Sequence, residues 1–186
     1  MSCISLKGIG TNCETSLAGI KKIWIAESDN VKIVPTFDEA TGRLSSHVAT
    51  LTIAESTKPF FPYSFAKQTG SLTSTITIDE ANGVRYYTNE IALQFNKMEA
   101  EKHLEIEALA AGELVVIVLD NNGKYWAVGY DNYVSATAAG AQSGQAFGDL
   151  NGYTTTMSAM SAYLPFEVEK FEDTYKDSID DTSIIK

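Results

Sequence analysis

The chain has 186 residues, 44% hydrophobic and 10% aromatic, enough to bury the core of one domain, which excludes a disordered chain. Fourteen Lys and Arg against 24 Asp and Glu leave a formal net charge of −10, so a single copy is not expected to hold nucleic acid, whose phosphates need a basic surface. No apolar run reaches the roughly 18 residues of a membrane span, and residues 1–10 lack the charged start and long apolar stretch of a signal peptide, so a cytosolic site of synthesis is expected.

In chain order, Cys3 and Cys13 come first. Two thiols near one end are no disulfide framework for a chain of this length, and no His or further Cys sits at zinc spacing, so free thiols are expected. Gly8-Ile9-Gly10 has no third glycine at the spacing of a phosphate loop and no strand before it. Ile23 and Ile25 alternate with Trp24 and Ala26, Val31 and Ile33 follow, and Ala49, Leu51 and Ile53 alternate with Val48, Thr50 and Thr52. Period two of this kind predicts half-buried antiparallel strands. Phe60, Phe61, Tyr63 and Phe65 read as core packing of a strand, with a sugar or base platform as the alternative. Phe60 and Phe61 are neighbours and face opposite sides, so one of them is a candidate to meet another subunit.

Leu72, Ser74, Ile76 and Ile78 alternate with threonines, Asp79-Glu80-Ala81-Asn82-Gly83 turns the chain, and Val84 to Phe95 returns it, predicting a long hairpin. Residues 97–111 are free of Gly and Pro and rich in helix formers, predicting a helix with Met98, Ile106, Leu109 and Ala110 on one side, Leu104 off the stripe, and Gly112 as a left-handed cap. The unbroken apolar run Leu114 to Leu119 predicts a strand buried on both faces, turned by Asp120-Asn121-Asn122-Gly123 into a return over residues 124–130. Residues 131–152 are small and polar, with glycines at 140, 144, 148 and 152, and read as a long mobile loop fit for gripping a partner. A last strand pair is expected over 153–159 and 163–169. The fold class is therefore mainly β, an antiparallel sandwich or barrel with one flanking α-helix, forming a single domain over 1–169 with an N-terminal arm, and an acidic C-terminal arm over 170–186.

No catalytic, metal or cofactor-binding residue is expected, and the chain reads as a non-enzyme. His47, beside Ser45 and Ser46 just ahead of a strand, and His103, in the helix, have no orienting partner, and no G-x-S-x-G elbow is present. Asp149 and Asp120 sit in Gly- and Asn-rich turns without the spacing or closing Glu of a calcium loop. What remains is a β-rich domain with long hairpins, one helix and two arms, parts suited to a subunit that touches neighbours on several sides. The rival reading is a carbohydrate- or ligand-binding sandwich using Trp24, Trp126 or Tyr133.

Three stretches resemble the tail tube and related virion proteins of tailed bacteriophages and prophages of Bacteroides-type bacteria. They are Cys3-Ile4, Gly8-Ile9 and Cys13 with Leu17 to Trp24; Leu109 to Trp126; and Gly148-Asp149-Leu150-Asn151-Gly152-Tyr153 with its Thr-rich strand. The resemblance implies a sandwich or barrel flanked by a helix, hexameric rings whose inner strands join into one barrel, and stacking of rings through hairpins and arms. It implies a virion protein, made in the host's cytoplasm, whose partners are itself and other tail proteins, with DNA passing through the bore unbound. Asp79, Glu80 and Glu90 are then candidates for an acidic lumen that repels DNA, and Phe60, Phe61, Tyr133 and Phe147 are candidates for subunit contacts. The 131–148 loop and the C-terminal arm are expected to order on assembly.

Overall fold

A computed structural model describes residues 8–10, 13, 15–39, 42–54, 59–182 and 184–185. Half of the chain is strand and about a tenth helix, arranged as a β-sandwich with a flanking helix. The strands are β1 Ile20–Glu27, β2 Val31–Phe37, β3 Leu44–Ile53, β4 Phe61–Tyr63, β5 Ser71–Asp79, β6 Val84–Asn96, β7 Leu114–Asp120, β8 Tyr125–Val128, β9 Ser135–Gln142, β10 Gly152–Ser161 and β11 Phe166–Glu167. Helix α1 spans Ala100–Ala111 and the short α2 spans Phe171–Thr174. One sheet has seven strands in the order β2-β3-β11-β8-β7-β1-β4; the other has four, β5-β6-β10-β9. All named ladders are antiparallel except β3–β11.

The period-two pattern explains the layering. From β1, Trp24 and Ala26 enter one cluster while Ile23 and Ile25 enter the other. From β7, Val115, Ile117 and Leu119 join the first and Val116 and Val118 the second, so the apolar run is buried on both faces as its sequence predicts. β8 divides likewise, Ala127 with Tyr125 against Val128 with Trp126. The second cluster fills the space between the sheets, where Ile91 and Leu93 of β6 and Met157 and Ala159 of β10 meet β1 and β7. The first lies on the other face of the seven-stranded sheet, beneath β2, β3 and the segment after β11. The hairpin of β5 and β6 forms about the expected turn, with Ile78 opposite Arg85 and Asp79 opposite Val84.

Five local expectations are corrected. The supposed loop at 131–148 contains β9, which pairs with β10 from Gly152↔Gln142 to Ser158↔Ser135; its Ala, Gly and Ser side chains are too small to mark a buried face, but its backbone pairs all the same. The expected strand pair over 153–159 and 163–169 does not form, because β10 lies between β6 and β9 while β11 joins the other sheet between β3 and β8. The polar segment after residue 170 is not an arm as far as Ile179: Phe171 and Ile179 are buried in the first cluster and Tyr175 packs on it. The helix starts at Ala100 rather than 97, Lys97 having φ +66. Gly112 does end it, but in an extended conformation (φ −90°, ψ 155°) that leads directly into β7, with its N–H donating to the Ala108 carbonyl. Cys13 is exposed, while any pairing with Cys3 lies outside the described residues.

Candidate functional site

The four-stranded sheet presents one face to the second cluster and the other to solvent. Leu72↔Ile91 and Met157↔Ile91 set the inward positions, so alternation places Thr73, Thr75 and Thr77 of β5, Thr88 and Glu90 of β6, and Thr154, Thr156 and Ser158 of β10 on the solvent face. Cross-strand rows such as Thr73–Glu90–Ser158 and Thr75–Thr88–Met160 run across the face. Within the strands, the charged residues of this face are Glu90 and, near the hairpin tip, Asp79; Arg85 pairs with Ile78 on the opposite side. The face is thus hydroxyl-rich and carries carboxylates without a lysine or arginine among its strand positions.

Among the described residues, its two end strands, β5 and β9, each have a ladder on one side only. β5 carries a single charge, Asp79 at its last position, and β9 carries none; neither contains proline. Soluble proteins ordinarily blunt a sheet edge with charge or proline; these edges lack proline and lysine, and Asp79 at the end of β5 is their one charge. Helix α1 lies beside β9.

The three lumen candidates occupy different places. Glu90 is exposed at the middle of the solvent face. Asp79 closes the hairpin turn: its carboxylate accepts the Asn82 side-chain amide (2.6 Å) and backbone N–H (3.2 Å), which holds its pKa below the usual carboxylate range. Glu80 is exposed in that turn. Beyond the sandwich the hairpin exposes Ile76, Ile78 and Val84, residues that sequence reasoning assigned to strand alternation alone; their distance along the hairpin from Leu72 was the available signal.

The interface candidates also separate. Phe60 is fully buried, stacked edge-on against Phe171 (centroids 5.0 Å apart), so it belongs to the core and not to a contact surface. Phe61 faces the other way and is 40% exposed, as the neighbour argument requires. Tyr133 is equally exposed, and Phe147, on the β9–β10 connection, is wholly exposed. That connection is a defined turn: the Asp149 carboxylate accepts the N–H groups of Gln145 (2.9 Å) and Ala146 (2.8 Å), bonds that keep Asp149 ionised below its usual range. Gly144 holds φ +71, and a β-carbon there would sit 2.7 Å from that of Asp149. At the start of β10, a β-carbon on Gly152 would lie 2.0 Å from the Phe95 carbonyl oxygen. The glycine spacing of the sequence thus serves a hairpin and not a helix face.

Between α1, β1 and β4 lies a cavity of about 370 Å³, lined by Phe61, Tyr63, Phe95, Ile106, Leu109 and Tyr153 among others, and also by Ile184 and Ile185. Tyr63 donates its hydroxyl to the Glu105 carboxylate; burial, then that bond and charge, push its ionisation far upward. At the head of the helix, the Glu99 N–H donates to the Tyr153 hydroxyl (3.1 Å), and Lys102 and Lys97 pull the Glu99 carboxyl down to about 2. Sequence reasoning did not find this cavity, because its walls come from six separate elements, β1, β4, β6, α1, β7 and β10.

Catalytic geometry does not gather around the histidines. His47 lies within β3 rather than ahead of it and stacks on Phe166 (5.4 Å), and His103 meets the edge of Tyr153 (5.3 Å). Among the described residues no group of three His, Cys, Asp or Glu could hold a metal ion, and no helix is long and apolar enough to cross a membrane. Of the residues named for the carbohydrate reading, Trp24 is fully buried in the first cluster, Trp126 packs against the second with its indole N–H on Asp120 (3.1 Å), and Tyr133 is 40% exposed. Compared with known protein families, curated proteins and solved structures, the chain finds no match in any of the three.

Proposed function

We propose that the protein is a structural, non-enzymatic virion subunit that joins copies of itself through its four-stranded sheet into rings, which stack into the tail tube of a bacteriophage and let DNA pass. The observation that carries this reading is the sheet whose two end strands, among the described residues, each have a ladder on one side only. Pairing β5 of one copy with β9 of the next satisfies the backbone groups that each end strand leaves open and continues the sheet around a ring. The solvent face, with hydroxyls and the carboxylates of Glu90 and Asp79, then lines the bore, where negative charge keeps phosphate from binding. The resemblance noted in the sequence supplies the hexameric number, the virion location and the other tail proteins as partners.

The test is imaging and light scattering of the purified chain alongside Thr75→Lys and Ala138→Lys, exposed positions on β5 and β9. The parent chain should form rings or tubes with an open bore, and each lysine should leave folded single copies. A parent chain that stays monomeric at every concentration and salt condition removes the proposal.

A further inference from the structure

The apolar cavity beneath α1 and the exposed Phe147 are complementary features on one chain. Phe147 is 113% exposed, so it does not occupy the cavity of its own copy. It is nevertheless presented on an ordered tip, where Asp149 ties the backbone N–H groups of Gln145 and Ala146 and the Asp149 N–H returns to the Ala146 carbonyl (3.0 Å). An aromatic ring held in water on a preorganised turn loses little further freedom when it docks. The cavity offers about 370 Å³ walled by Phe61, Tyr63, Phe95 and Tyr153 together with Ile106 and Leu109. About 150 Å³ of apolar space suffices for a benzene ring, and aromatic walls favour edge-on contacts with another ring. The 40% exposure of Phe61 marks the side of this site that is open to solvent.

We infer that the cavity beneath α1 receives Phe147 of a second copy of the chain. The contact is heterologous, a knob on one surface entering a hole on another, and repeats head to tail, closing into a ring or running on as a filament. This inference rests on the proposed self-assembly but is separate from edge pairing of β5 and β9, since it uses neither strand's backbone. It also assigns one joint role to two residues, Phe61 and Phe147, that share no element.

The test compares association by light scattering for the parent, Phe147→Ser, Phe147→Leu, Ala108→Trp and the double variant that combines Phe147→Ser with Ala108→Trp. Both sites are exposed, and Ala108 borders the cavity, so circular dichroism should show all of them folded. Loss of a buried Phe side chain should weaken association about ten- to hundredfold, Phe147→Leu should restore part of it, and Ala108→Trp should weaken it by filling the hole. The double variant should be no weaker than the worse single one, as expected when both remove the same contact. If the parent assembles and Phe147→Ser assembles equally well, or if the two losses simply add, the docking is wrong while edge pairing stands. A parent that never self-associates overturns both.

Discussion

Replacing Phe171 by alanine tests whether residues after 170 are part of the folded body. Phe171 is fully buried, with its ring 5.1 Å from that of Trp24, 5.0 Å from Phe60, 5.8 Å from Tyr125 and 5.6 Å from Tyr175, centroid to centroid. Aromatic partners drawn from separate stretches of the chain leave little scope for collapse into the space the ring vacates. A Phe→Ala change at such a site costs about 3–5 kcal/mol. At roughly 2–4 °C per kcal/mol for a domain of this size, the melting temperature should fall by roughly 6–20 °C. Denaturant unfolding followed by Trp fluorescence is the direct assay, because Trp24 reports on the same cluster. Leu104→Ala, at a helix position 70% exposed, is the control and should stay within about 0.5 kcal/mol of the parent. A Phe171→Ala protein as stable as that control would mean that the segment merely rests on the surface, and the assignment of Ile179 and Tyr175 to the core would fall with it.

Gly152→Ala should destabilise by about 1–3 kcal/mol or more, since the obstacle is the Phe95 and Asn96 backbone, while Gly148→Ala, with nothing within 4 Å, should be silent; denaturant midpoints of the two decide. Tubes of Glu90→Lys should retain DNA at low salt and release it as salt rises, whereas parent tubes should not retain it; DNA held by the parent would contradict an acidic bore. Glu99, lowered from 4.5 to about 2 by Lys102 and Lys97, favours the folded state above its ordinary value, and this contribution is lost as pH falls from 4.5 through about 2. In acid unfolding, Glu99→Gln should therefore show a shallower decline over that window than the parent, and the two should converge at its lower end.

Much of the architecture was legible because burial and period two coincide in it. Leu114 to Leu119 announce a strand with a core on each side; Ile23, Trp24, Ile25 and Ala26 announce a strand too, but one read as half-buried whose two faces both prove buried. The turn at 79–83 was legible from Asp and Asn-Gly, and Asp79 does bind Asn82 there. β9 was hidden because Ser135–Gln142 carries only small and polar side chains, so its place depends on hydrogen bonds to β10 that leave no mark on hydrophobicity. The folded tail was hidden for the opposite reason. Phe171, Tyr175 and Ile179 are four residues apart, but acidic neighbours dilute them, and the partners that bury them lie far away in sequence, as where the Tyr175 hydroxyl bonds the Leu51 backbone N–H (2.8 Å) and carbonyl (3.2 Å). Of the candidate surface, single residues were legible and their grouping was not: Glu90 and Phe61 were picked out, whereas the cavity that Phe61 borders needs six elements in place.

The position of β11 bears on when the subunit becomes competent. Its two residues are the link in the seven-stranded sheet between the β2–β3 hairpin and β8. Made early by the ribosome, that hairpin has no lateral partner in the sheet until residues 166–167 emerge, and the cluster under its buried face is completed only by Phe171 and Ile179. At roughly 5–20 residues per second, translation of the intervening stretch takes several seconds or more. Closure therefore comes after nearly all of these residues have been made, so a nascent chain cut short before residue 166 lacks the finished sandwich.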